Sequence, residues 1–151
     1  MTLDNVNTIG TLEIVVTGAD GTIKDSRLLK NLVVSTGKAL FASRLIGTAS
    51  AVASHIGVGT DSTAAAVTQT ALTAELVRAA LTSTTNVTTT VTNDAVQYVA
   101  TLGAGVGTGA LVEAGIFNAA SAGTMLSRVV FAVVNKGAAD TMTITWKITF
   151  A

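Results

Sequence analysis

Thr141-Met142-Thr143-Ile144-Thr145-Trp146-Lys147-Ile148-Thr149-Phe150 places Met, Ile, Trp, Ile and Phe at even positions and Thr, Thr, Thr, Lys and Thr at odd ones. Successive side chains of a strand point to opposite faces, so the segment has one apolar and one polar face, the mark of a sheet with core on one side and water on the other. Upstream, Leu111 to Phe117 and Thr124 to Val134 are also strand-like. The links between the three runs, Asn118 to Gly123 and Asn135 to Asp140, are short and rich in turn formers. Three antiparallel strands in series are expected.

Working towards the N-terminus, Gly103-Ala104-Gly105-Val106-Gly107-Thr108-Gly109 precedes this meander. Glycines at that spacing can cradle a phosphate only if a helix begins directly after them. The run Leu111-Val112-Glu113-Ala114-Gly115-Ile116-Phe117 comes next and is a strand, so the glycines read as a tightly bent connection. Val96, Tyr98, Ala100 and Leu102 fall on one face of a further strand. Thr82 to Thr92 is Thr-rich, β-branched and uncharged, which suits a solvated strand. Lacking charge and proline, it is also able to add to another sheet edge. His55-Ile56-Gly57-Val58-Gly59 reads as a short buried strand, and Ala64 to Thr73 as a helical turn or surface loop.

Near the start, Thr11 to Thr17, the turn Gly18 to Gly21, and Thr22 to Leu29 form a hairpin pattern, with Asn31 to Val34 continuing as strand. Residues 1–9 read as a polar lead-in, an N-terminal arm. One helix is expected, between Ser35 and Gly47, capped by Ser35 or Thr36 and closed by Gly47. Its Leu40, Phe41 and Leu45 side should pack on the sheet and its Lys38 and Arg44 should face water. With about nine strands and one helix, the pattern points to an antiparallel sandwich or barrel rather than βαβ units. The expected fold is one all-β domain over residues 1–151, an antiparallel β-sandwich, jelly-roll-like or immunoglobulin-like, with the short helix near residues 35–47.

Charged residues are 12% of the chain, about half the usual share, while apolar ones reach 49%. Exposed positions must then be filled largely by Thr, Ser, Ala and Gly. Nine basic and nine acidic side chains cancel, and near-zero net charge favours association. With no basic cluster longer than a pair, nucleic acid and anionic membranes are poor partners, which leaves other proteins or further copies of the chain. No cysteine is present, so neither disulfide nor thiolate chemistry is available. The first residues lack the pattern of a signal peptide, and the uncharged run Ala95 to Val112 is too polar and glycine-rich to span a bilayer.

Little material for catalysis is visible. His55 is the only histidine, so a multi-histidine metal site is excluded. A neutral, hydrogen-bonded strand-edge histidine is the plain reading, beside a general base in a Ser-His pair. Asp20, Asp25 and Asp61 stand singly, without the spacing of a calcium or magnesium loop. No catalytic residue, metal or cofactor is expected. Glu75, Arg78, Glu113 and Arg128 are more informative, because each lies in an apolar stretch where a lone charge must reach water or find a partner. Glu113 with Arg128, and Glu75 with Arg78, could form a structural charge network; the alternative places all four on the solvated face.

Taken in order, several motifs form a pattern: Asn31-Leu32-Val33-Val34, His55-Ile56-Gly57-Val58-Gly59-Thr60, Leu72-Thr73-Ala74-Glu75-Leu76-Val77-Arg78, Glu113-Ala114-Gly115-Ile116-Phe117-Asn118, Gly123-Thr124-Met125-Leu126-Ser127-Arg128, and Thr143 to Phe150. This pattern resembles a group of small structural proteins of tailed bacteriophages, described as virion, tail-fibre-like or head-decoration proteins. The resemblance runs from about residue 30 to the end and carries over no catalytic residue. It implies a virion component, made in the bacterial host cytoplasm and placed at the capsid surface. Its expected role is a decoration (cement) protein, a homotrimer that binds the major capsid protein and stabilises the head shell. A tail-fibre or baseplate module with host-receptor contact is the alternative, and a small hydrolase a distant third.

Overall fold

The computed structural model of the chain describes residues 6–48 and 50–151. Among the described residues, eight antiparallel strands and one helix follow in the order β1 (Thr8–Thr17), β2 (Ile23–Val33), α1 (Ser35–Leu45), β3 (His55–Gly59), β4 (Glu75–Val87), β5 (Ala95–Leu102), β6 (Gly109–Phe117), β7 (Met125–Lys136) and β8 (Thr141–Phe150). The strands close into a barrel in the order β1-β2-β7-β6-β3-β4-β5-β8. The expected sandwich, jelly-roll-like or immunoglobulin-like, is therefore corrected to a closed barrel, and about nine strands to eight. The physical reason lies in β2 and β4, which pair into both halves of the sheet: β2 with β1 and, at Leu32 and Val33, with β7, and β4 first with β3 and then with β5. β8 is the middle of one half, paired with β1 along its whole length, Thr8 opposite Phe150 through Thr17 opposite Thr141, and with β5 from Ala95 opposite Thr149 to Leu102 opposite Met142. Strands shared in this way join what would be two stacked sheets into one ring.

The alternation in β8 then fills the barrel. Met142, Ile144, Trp146 and Ile148 are fully buried in it. Register places Val16, Met142 and Leu102 in one cross-strand row, Ile14, Ile144 and Ala100 in the next, and Leu12, Trp146 and Tyr98 in a third. In the second row the small Ala100 stands beside Ile144, and in the third Trp146 lies between Leu12 and Tyr98. Burying each large apolar side chain contributes about 1.5–3 kcal/mol. Parity switches at a register shift between Leu111 and Glu113, so that Leu111 faces the interior while Glu113, Gly115 and Phe117 face outward.

Part of the outer surface is covered as well. The segment 60–74 between β3 and β4 crosses over β3, β6 and β7, and Leu72 joins Val34, Phe117 and Met125 in a second, smaller core. Gly57 and Gly115 are cross-strand partners whose missing side chains make the trough for it; a Cβ on either would crowd Leu72 and Phe117. Ala64 to Thr73 is thus the surface loop of the two expected alternatives, mostly exposed and anchored by the buried Leu72.

The helix departs from expectation at its N-terminus and in the place of Leu45. Its N-cap is Val34, with no side-chain cap; the Thr36 hydroxyl donates instead to the Met125 carbonyl. Gly47, at φ 72°, does close it, donating to the Arg44 carbonyl while Thr48 donates to that of Ser43. Leu40 is buried and Phe41 meets Phe150 edge-to-face at 5.4 Å, but Leu45 is 89% exposed, a correction to its predicted place on the sheet. The reason is that α1 lies across the mouth of the barrel and makes its closest approach at Gly37, against the Leu126 backbone. Its last turn overhangs that contact. At the chain start, Thr8 and Ile9 belong to β1 rather than to a lead-in arm, while residues 1–5 lie outside the described residues.

The run Ala95 to Val112 holds β5, a glycine turn and part of β6. Gly105, Gly107 and Gly109 all take positive φ in it, the bent connection that strand-to-strand passage needs. Among the described residues, no helix is long and apolar enough to cross a membrane.

Gly37→Ala tests the seating of the helix. Alanine favours the helix by about 1 kcal/mol, but its methyl would overlap the Leu126 carbonyl oxygen. A net loss of about 1–2 kcal/mol is expected in denaturant unfolding, with an unchanged m-value.

Candidate functional site

Arg128 lies on β7 opposite Gly115 of β6, and two residues along β6 stands Glu113. Both point outward, and both side chains are 0% exposed because segment 60–74 lies over them. Arg128 Nη2 and Nε donate to Glu113 Oε2 at 2.7 and 3.2 Å. Nη1 donates to the Thr63 carbonyl and to Gln69 Oε1. The Glu113 carboxylate also accepts the backbone N–H groups of Thr73 and Ala74, at 3.1 and 2.8 Å. The pair therefore satisfies itself while fastening both ends of the covering segment. Gly59 makes this possible: a Cβ there would collide with the Ala74 carbonyl and the Glu113 carboxylate.

Glu75 and Arg78 form a second clamp. Arg78 Nε and Nη2 donate to the two Glu75 carboxylate oxygens at 2.7 and 3.0 Å, a bidentate pair. Nη1 donates to the carbonyls of Ala119 and Ala122, and the guanidinium lies 3.5 Å from the centre of the Phe117 ring. This clamp holds the turn between β6 and β7. Among the described residues no hydrogen bond joins the two clamps; they touch only through the backbone of residues 73–75. The four charges are thus two separate fasteners rather than one network.

Further fasteners were not legible in the sequence. Lys24 on β2 pairs with Asp140 at 2.9 Å, and Asp140 caps the Gly137 N–H. Both contacts, with the Lys136 charge nearby, hold the Asp140 carboxyl below the ordinary range. Lys136 is itself buried and donates to the Gly103 carbonyl, pinning the glycine loop; burial lowers its pKa, and Asp140 offsets part of that. Asp94 ends the turn after β4. Its carboxylate accepts the N–H groups of Thr89, Thr90 and Val91 and the Thr89 hydroxyl, which together hold its pKa far below the usual value of 3.8. Only the Asx spacing from the preceding threonines hints at this, and it resembles any polar turn.

The Nδ1 of His55 lies 2.8 Å from the hydroxyl of Ser54, the residue directly before it. Among the described residues there is no grouping of His, Asp or Glu that could hold a metal ion. Asp20 and Asp61 each accept the N–H of the residue two places on, which is turn chemistry. Asp25 pairs with Arg27 at 2.7 Å.

What the surface does offer is a groove at the α1 end of the barrel, about 820 Å³ in volume. Phe41, Leu45, Val6 and Phe150 give it an apolar lining, and Lys38 and Arg44 stand at its rim. Ile46, 82% exposed, extends the apolar surface beyond it. The arrangement can bind an apolar protein surface.

Compared with protein-family models, with curated proteins and with solved structures, the chain matches none of them.

Removing Arg128 leaves Glu113 buried without a counter-charge. Arg128→Ala is expected to cost about 3–5 kcal/mol in denaturant unfolding, whereas Arg44→Ala on the helix surface should change stability by no more than about 0.5 kcal/mol. Equal losses in the two variants would mean the pair fastens nothing.

Acid should destabilise the protein in a defined way. Asp94, Asp20, Asp25, Asp61 and Asp140 all have folded pKa values below the unfolded 3.8. A depressed carboxylate stabilises the fold at pH values above its unfolded pKa, and that contribution disappears as pH falls through the folded value. The thermal midpoint should therefore be level near neutrality and drop below about pH 4. Asp94→Asn should flatten that drop, since Asp94 has the largest depression.

Proposed function

We propose that this chain is a non-enzymatic structural protein of a tailed-bacteriophage virion, a capsid decoration protein that acts as a homotrimer to bind and stabilise the head shell through the major capsid protein. The observation that carries the reading is how the barrel uses its side chains. Its interior is filled by Trp146, Leu12, Ile14, Ile144 and their neighbours. Its buried charges are spent on fastening its own loops, and its apolar surplus faces outward around α1. Such a molecule is suited to being covered by other protein rather than to turning over a substrate.

The resemblance in the sequence motifs supplies the virion. Sparse charge and Thr-rich outer strand faces support a life in assembly. A decoration protein stabilises by mass action, because a ligand that binds only the assembled lattice opposes its disassembly.

Copy number separates this role from that of a tail-fibre or baseplate module. Quantitative mass spectrometry of purified particles should count on the order of hundreds of copies, in keeping with the many equivalent sites of an icosahedral shell. Single or low double figures would move the protein to the tail, and absence from finished particles would end the virion reading.

A further inference from the structure

β4 changes partners along its length. From Glu75 to Ala80 it pairs with β3. The ladder to β3 ends at His55 opposite Ala80, and a last bond runs from the Leu81 N–H to the Ser54 carbonyl. Beyond a register shift at Leu81 to Ser83, β4 continues with β5 alone, up to Val87 opposite Ala95. Among the described residues, no backbone hydrogen bond reaches the other edge of residues 82–87. Thr82, Ser83, Thr84, Thr85 and Asn86 are all exposed, so both faces of this strip, as well as its edge, meet water.

Exposed strand edges are normally blunted by charge, proline or cover, since their free N–H and C=O groups template further pairing. Among the described residues this edge has none of these. No charged residue lies between Arg78 and Asp94, and the chain contains no proline. The edge is also held ready: the Asp94 carboxylate gathers the backbone N–H groups of Thr89, Thr90 and Val91 and fixes the tip of the hairpin.

We propose that this edge of β4, Thr82 to Asn86, is a strand-addition site whose occupant is the same edge of a second copy of the chain. The strip is self-complementary. Antiparallel pairing about a two-fold axis at Thr84 sets Thr84 against Thr84 of the other copy, Ser83 against Thr85, and Thr82 against Asn86. Hydroxyl-bearing residues opposite one another are favourable cross-strand pairs. An uncharged edge meeting itself brings no like charges together, whereas an acidic or basic partner strand would find no counter-charge here. The pairing is isologous, so it satisfies both edges at once and closes. Being two-fold, it joins copies in addition to any three-fold contact of a shell-bound trimer. It does not rest on the virion reading: the purified chain in buffer tests it, and a particle census does not.

The test uses sedimentation and hydrogen exchange on the full chain from micromolar to millimolar concentration. The native chain should associate reversibly, with those amides of Thr82 to Asn86 not turned toward β5 becoming protected as concentration rises. Ser83 and Thr85 lie on the outer face, opposite Val99 and Gln97, so charge there leaves the core alone. S83K/T85K and S83E/T85E should each weaken association about tenfold, because two like-charge contacts form across the axis. Mixing the lysine and glutamate variants should restore it. Circular dichroism and emission from the single buried Trp146 confirm that each variant is folded. The proposal is overturned if the native chain shows no concentration-dependent protection at Thr82 to Asn86. It is equally overturned if the charged variants associate as tightly as the native chain, or if mixing brings no gain.

Discussion

The two-sided pairing of β8 is the constraint on which the remaining structure depends. This ten-residue strand lies between β1 and β5 and pairs with both. Its backbone groups are thereby satisfied on either side, and its inward residues are enclosed by all the other strands. Trp146 needs Leu12 and Tyr98 beside it, and Ile144 needs Ile14 and the small Ala100. One residue of slip would turn Thr143, Thr145 and Lys147 into the interior, where their polar groups would lack partners. The register is therefore set by the same alternation that makes the core.

A closed barrel of this size leaves its outer face to be managed. On one side it is solvated, through the threonines of β8. On the other, the segment between β3 and β4 lies over β3, β6 and β7, and that cover is held by charge as much as by apolar contact. Arg128 and Glu113 reach out between Leu72 and the loop backbone, and every hydrogen bond they make other than to each other goes to residues 63–74. Burying two charges costs several kcal/mol, offset here because the carboxylate accepts two backbone N–H groups and the guanidinium finds a carbonyl and an amide oxygen. The pair gives specificity of placement: the loop can lie in one position only. Arg78 repeats the device on the turn after β6, with the Phe117 ring beneath it.

Several features were readable from residues alone because they are local. The hairpin of β1 and β2, the C-terminal meander, the inward face of β5 and the Gly47 helix end each depend on neighbours a few places away. The helix shows where locality fails. Leu45 carries the same apolar signal as Leu40, yet the contact that seats α1 is made by Gly37, a residue that an apolar pattern passes over. Gly57, Gly59 and Gly115 are similar. In the sequence they look like strand weakeners; in the fold they are the space that Leu72, Phe117 and Glu113 occupy. Likewise Gln69 and Thr63 look like ordinary loop residues, and only the path of the loop brings them to Arg128.

By itself, the order of residues determined the period of each strand, the antiparallel sense of the short links, the place of the one helix and the scarcity of catalytic groups, since all of these depend on spacing and side-chain type. It did not determine whether the apolar faces would meet across two stacked sheets or around one closed one. An alternating strand presents the same inward face in either case. The deciding factor is which distant strands share hydrogen bonds, and here β2 joined to β7 and β4 joined to both β3 and β5 close the ring. The same nonlocal pairing chose the partners of Arg128 and Glu113 and left the far half of β4 without one, because those outcomes depend on where the barrel's surface runs and not on the residues beside them in the chain.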